Sequence, residues 1–211
     1  ASILDVGFFK RPAQAAVAVA FVIGVPIGLL VGYYRNWVSS LTMRIFDFIQ
    51  SFPVFVWGMA LVSVMGQEIW NVAIVLAVLF IPVFARLIRA EVLSLRERPF
   101  ISAARCSGAT DATIMFRHIL PQCIAPFLIL ATTHLGVAII IEASLGFLGV
   151  GIPPPNPTWG NMLADALNSG LVPPWWLVLF PGIAITITVL AFNLLGDGIR
   201  DMLDPRLRGA V

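Results

Sequence analysis

Long apolar runs cut by isolated charges dominate the chain. Between Arg11 and Arg35 lie 23 uncharged residues, between Asp47 and Glu68 lie 20, and between Glu68 and Arg86 lie 17. A helix needs about 20 apolar residues, at about 1.5 Å each, to cross roughly 30 Å of hydrocarbon. Each window therefore predicts one membrane span, the third lengthened where Arg86 and Arg89 reach along the helix to the interface. A fourth span follows Pro121 and runs through PFLILATTHLGVAIII to about Gly146, and a fifth covers roughly Trp175 to Leu195. The stretch from Glu142 to Asp165 is also uncharged, but GFLGVGIPPPNPTWGN is broken by glycines and four prolines. It predicts a loop carrying a short amphipathic helix at Trp159 to Asn168.

Composition agrees. Of 211 residues, 59% are hydrophobic and only 11% are charged, with a mean hydropathy of +0.96. Twenty-four charged side chains are too few to cover a water-facing surface of this size, so the fold class is an all-α polytopic membrane bundle of five core spans. A net charge of +2 without a basic cluster excludes a phosphate-tracking nucleic-acid surface. Cys106 and Cys123 lack CxxC spacing and read as free thiols.

If the spans alternate, one side receives eleven Lys and Arg residues, including Arg44, Arg86, Arg96, Arg105, Arg117 and Arg200, and the other only Lys10 and Arg11. The excess places the first side in the cytoplasm. The C-terminus and the 91–120 loop are then inside, while the N-terminus and the 147–174 loop are outside. An outer N-terminus without a start methionine or a cleavable signal predicts a fragment whose upstream part held a further span.

Gly24, Gly28 and Gly32 place bare positions on one face of the first span, where another helix can approach closely. That helix belongs either to the same subunit or to a neighbouring one. Pro26, Pro53, Pro82, Pro126 and Pro181 put a proline in every span, and each can kink its helix. Asp47 and Glu142 near span ends read either as structural acids or as a gate or ion site. In the structural reading, Asp47 pairs with Arg44 one turn away and Glu142 caps or hydrogen-bonds the broken segment after it. His118 and His134 have no partners at ligand spacing, so no metal is expected. No Walker A, GxSxG or HExxH motif occurs, and no catalytic residue can be assigned.

The inner loop, EVLSLRERPFISAARCSGATDATIMFRHILP, predicts two short helices forming an elbow. Pro99 suits the first turn of one, Ala103 and Ala104 continue it, and Gly108 suits a left-handed end. Thr110 caps the second, with Asp111 in its first turn, and Pro121 begins the next span. The elbow reads either as a solvated loop or as a docking element, and its apolar, alanine-containing face favours docking.

These residues resemble the inner-membrane permease subunits of binding-protein-dependent ABC importers. The family's loop signature is E-A-A, three residues, G, nine residues, I-x-L-P. Here Ala103, Ala104, Gly108, Leu120 and Pro121 fall in register, with Ser102 in place of the glutamate and His118 in place of the isoleucine. RHILP at 117–121, MRIFDFIQSFP at 43–53, EASLGFLGVGIPPPNPTWGNML at 142–163 and GDGIRDMLDPRLRG at 196–209 are similar to the dipeptide, oligopeptide and nickel branch. The likeness thus covers nearly the whole chain and reads it as one transmembrane domain, 1–211.

The resemblance implies an importer subunit in the cell inner membrane that is not itself an enzyme. No cofactor would sit on this chain, since ATP and Mg²⁺ would be held by two partner ATP-binding subunits. Ser102, Ala103, Ala104, Arg105, Gly108, Arg117, His118, Leu120 and Pro121 would form the coupling element against an ATPase. A second permease subunit would complete the pathway, and an external binding protein would deliver solute to the outer loop, where Trp159, Trp175 and Trp176 mark the membrane interface. Short peptides are the expected cargo. Two other classes stay open on residues alone: an ion-driven secondary transporter or channel using Asp47 and Glu142, and a membrane scaffold that recruits an enzyme without moving solute.

Overall fold

The computed structural model describes residues 6–170 and 174–203, with side chains from residue 12 onward. The expected basic residues Arg206 and Arg208, and the end of the closing motif, lie outside the described residues. The order is α1 (Val6–Tyr33), α2 (Trp37–Gln50), α3 (Val54–Met65), α4 (Ile69–Arg96), α5 (Pro99–Cys106), α6 (Asp111–Thr113), a π-helical segment (Ile114–Ile119), α7 (Leu120–Phe147), α8 (Trp159–Asn168) and α9 (Trp175–Leu203). No strand occurs among the described residues.

Among the described residues, four stretches are long and apolar enough to cross a membrane: Pro12–Tyr33, Ile69–Arg96, Asp111–Phe147 and Trp175–Leu203. The expected second span is a correction. Its charge-free window holds only the last three residues of α2 and then α3, and these helices meet at 92°, so this part of the chain is a bent pair rather than a straight helix. Pro53 stands at the N-cap of α3. Its ring disfavours helical backbone at Phe52 and it cannot donate a hydrogen bond, which ends α2 three residues earlier. Pro26, Pro82, Pro126 and Pro181 lie inside helices that continue through them.

α4 is the central helix. Sixty-one per cent of its apolar window is buried against 11% for α9, which leaves α9 at the periphery. Phe84, Leu76, Ile88, Val72, Val75 and Val92 of α4 are fully buried in the core. The glycine stripe of α1 meets this helix. A Cβ built on Gly28 would lie 2.5 Å from the Ala85 carbonyl oxygen, one on Gly24 3.0 Å from Phe84 Cβ, and one on Gly32 2.8 Å from Val92 Cβ. The stripe therefore serves packing within the subunit, the closest α1–α4 approach being possible only without side chains there.

α8 has the bounds the sequence predicts and packs on α7, where a Cβ on Gly160 would come within 2.1 Å of the Ala143 carbonyl oxygen. Trp159 is 2% exposed. It is packed inside the bundle rather than marking a membrane interface, whereas Trp175 and Trp176 are exposed as expected.

Candidate functional site

The 99–121 segment is built from local rules. Pro99 occupies the first turn of α5, where its missing N–H costs nothing. Gly108 takes φ +82° and ends the helix in a Schellman motif: its N–H donates to the Arg105 carbonyl at 2.9 Å and the Ala109 N–H to the Ala104 carbonyl at 3.0 Å. Thr110 then caps the next helix, its hydroxyl accepting from the Thr113 N–H at 3.3 Å.

The second half of the expected elbow differs. The helix begun at Asp111 does not stop before Pro121 but runs without a break to Phe147. A π-helical turn at Ile114–Ile119 makes this possible: the Leu120 N–H bonds back to the Met115 carbonyl. The wider turn lets the chain pass Pro121, whose ring would clash with a regular helical carbonyl four residues earlier. The elbow is thus one short helix, α5, set against the base of a long one.

α5 has two faces. Ile101 is fully buried with Ile114 and Ile119 of the π segment, and Ala104 is half-buried beside them. Ser102, Ala103, Arg105, Cys106 and Gly108 are exposed. Arg117 and Pro121 are exposed on the adjoining segment, with His118 and Leu120 half-buried. The candidate loop residues therefore gather at one end of the bundle.

What holds α5 there includes a residue that no motif marks. The Tyr33 hydroxyl, at the end of α1, donates to Asp111 Oδ1. Arg105 Nη2 donates to the same hydroxyl at 3.4 Å, and Arg96 Nη1 donates to the Tyr33 carbonyl at 2.6 Å. The two guanidinium carbons stand 5.8 Å (Arg105) and 6.0 Å (Arg96) from the Tyr33 ring centroid, within range of cation–π attraction. The bond to Tyr33 raises the Arg105 pKa above its usual value. One phenol thus joins α1, α4, α5 and α6. Sequence reasoning missed it because its partners lie 63 to 78 positions away.

The remaining candidates do not join this site. Asp47 pairs with Arg86 of α4, Arg86 Nη2 lying 2.7 Å from Asp47 Oδ1, and not with Arg44. The correction is physical: α2 lies on α4, so Arg86 comes to hydrogen-bond distance across the interface. Glu142 is 2% exposed on α7 and has no hydrogen-bond or ion-pair partner among the described residues, so the expected cap is not formed. No group of three metal-ligating side chains occurs among the described residues. Both cysteines are free thiols, Cys106 exposed and Cys123 buried.

Apolar spans around a buried central helix, with a small-residue helix exposed at one end, define a multi-pass membrane protein. The chain belongs to the family described as binding-protein-dependent transport system inner membrane component, whose model matches residues 24–209. It is 44% identical over 205 residues to the dipeptide transport system permease protein DppC of Alkalihalophilus pseudofirmus, covering 97% of this chain and 65% of that one. It is 45% identical to the glutathione transport system permease protein GsiD of Pectobacterium atrosepticum, covering 92% and 64%, and 47% identical to GsiD of Escherichia coli O1:K1, with the same coverage. The chain thus spans somewhat under two thirds of the length of these relatives. In fold it is similar to a chain of the inward-facing MetNI methionine ABC transporter, with a TM-score of 0.76 at 21% identity over 94% of both chains.

Proposed function

We propose that this chain is the permease half of an ATP-driven importer for dipeptides and oligopeptides, and that α5 is its coupling helix. The carrying observation is the division of α5 into a face locked to the bundle through Ile101 and a small-residue face open to a partner. Relatives named for dipeptide and glutathione transport support short peptides as cargo.

In this reading α5 and the C-terminus are cytoplasmic, in keeping with the excess of arginines at that end. Two ATP-binding subunits hold ATP and Mg²⁺, and one receives Ser102, Ala103, Ala104, Arg105 and Gly108 in a surface cleft, with Arg117, His118, Leu120 and Pro121 at its edge. A second permease subunit completes the pathway, and an external binding protein meets the 147–174 loop. Closure of the ATPase pair then moves α5, and through it the helices it is tied to.

The test is ATPase activity and radiolabelled peptide uptake in proteoliposomes holding the full complex, wild type against Gly108→Asp. A Cβ at Gly108 meets nothing within 4 Å, and aspartate tolerates left-handed backbone better than most residues, so the fold should survive. Loss of uptake with uncoupled ATPase, or with separation of the subunits, supports coupling. Unchanged uptake, or uptake driven by an ion gradient without nucleotide, overturns it in favour of a secondary transporter.

A further inference from the structure

The Asp47–Arg86 pair is hard to account for as a brace alone. The exposed side chains beside Asp47 on α2, Ile45 and Phe48, are apolar. Yet the Asp47 and Arg86 side chains are 66% and 47% exposed. Hydrocarbon lipid would not tolerate such exposure, because a charge facing it must be neutralised or reach water. Only Asp47 Oδ1 and Arg86 Nη2 are engaged, and neither residue has another partner among the described residues. The face therefore meets water or a charged and polar guest.

A cavity of about 460 Å³ adjoins it, and its walls include Ile49, Gln50, Phe52 and Val54 of the bent pair with Phe80 and Val83 of α4. Gln50 follows Asp47 by three residues and Val83 precedes Arg86 by three, so the ion pair and the cavity wall are helical neighbours on both elements. The 92° bend between α2 and α3 brings Val54, the first residue of α3, to the cavity wall. The volume falls within the roughly 300 to 1,000 Å³ of ordinary small-molecule sites.

We propose that this is a solute-binding station for a short zwitterionic peptide with an apolar side chain. The ammonium is held by Asp47, the carboxylate by Arg86, the side chain by the Phe52–Phe80 cavity, and a peptide group by the Gln50 amide. The assignment rests on the permease reading and deepens it. Carboxylate and guanidinium match the two ends of such a molecule in sign and in hydrogen-bonding capacity, the guanidinium offering a second donor for a bidentate contact. An apolar cavity beside two opposite charges selects against ions and sugars alike.

The test uses the full permease–ATPase complex in nanodiscs without binding protein, carrying Val54→Cys as a reporter in the cavity wall. Maleimide labelling at position 54 is followed by peptide mass spectrometry with added dileucine or N-acetyl-dileucine amide. Expected is about a tenfold slowing by saturating dileucine and none by the blocked peptide. Asp47→Asn and Arg86→Gln should each raise the half-protecting concentration about tenfold, and Asp47→Glu should restore it, in complexes that still retain their ATPase subunits. Equal protection by both peptides, or protection indifferent to the two neutralisations, overturns the station and leaves the pair a helix brace. A position 54 that never reacts also overturns it, showing this face to be covered by a partner. These outcomes are separate from the permease reading, which falls only with the Gly108→Asp experiment.

Discussion

Tyr33 and Asp111, 78 positions apart, share a hydrogen bond that ties the end of the first span to the start of the helix leading into α7. Arg105 reaches the same hydroxyl from α5, so a displacement of α5 pulls directly on α1 and α7. In a coupling mechanism this makes Tyr33 a positioning residue, acting through the helix that meets the partner.

Tyr33→Phe should therefore cost about 1.5 to 3 kcal/mol of stability, the range for a hydrogen bond to a charged group. Uptake per ATP should fall in complexes that remain assembled. Asp111→Asn should weaken the same bond, and the double variant should lose less than the sum of the singles. Thermal unfolding and coupled uptake measurements check both, and additive losses would show that the two residues act independently.

Two glycines separate steric from conformational cost. Gly28→Ala must push α1 off α4, because its Cβ would sit 2.5 Å from the Ala85 carbonyl oxygen. Overpacking of this kind costs about 1 to 3 kcal/mol. Gly108→Ala has open space but an unfavourable φ, which costs about 1 kcal/mol. Melting temperatures of the purified complex should rank Gly28→Ala below Gly108→Ala, and the reverse order would mean that α1 can shift freely on α4.

Cys106 is exposed on α5 and Cys123 is buried. The isolated permease should accept one maleimide in its folded state, at Cys106. Adding the ATPase subunits should slow that reaction about tenfold if the exposed face of α5 is the docked one. An unaltered rate in an assembled complex would place the contact elsewhere.

Glu142 is buried without a partner among the described residues. Glu142→Gln keeps its shape and hydrogen-bonding capacity while removing any charge that burial would penalise. The melting temperature should stay level or rise. A clear fall would reveal a charge-dependent contact made in the assembled transporter.

Much of this molecule was legible in its residues, since the signals were local. Charge-free windows located α1, α4, α7 and α9; Pro99, Gly108 and Thr110 marked the ends of α5 and the start of α6; the amphipathic run from Trp159 to Asn168 gave α8. Each follows from backbone hydrogen bonding and allowed φ within a few residues. The bend between α2 and α3 was less legible, because hydropathy counts apolar residues without regard to direction. Pro53 was the available signal, yet Pro26, Pro82, Pro126 and Pro181 also sit in unbroken helices.

The residues alone carried the all-helical membrane class and the family. Which side chains meet emerged from the folded arrangement: Asp47 with Arg86 rather than Arg44, the glycine stripe with α4, and Tyr33 with Asp111 and Arg105. The reason is that span formation depends on apolar content, which sums along the chain. Pairing depends on how helices are rotated and bent against one another, which is settled only when they pack.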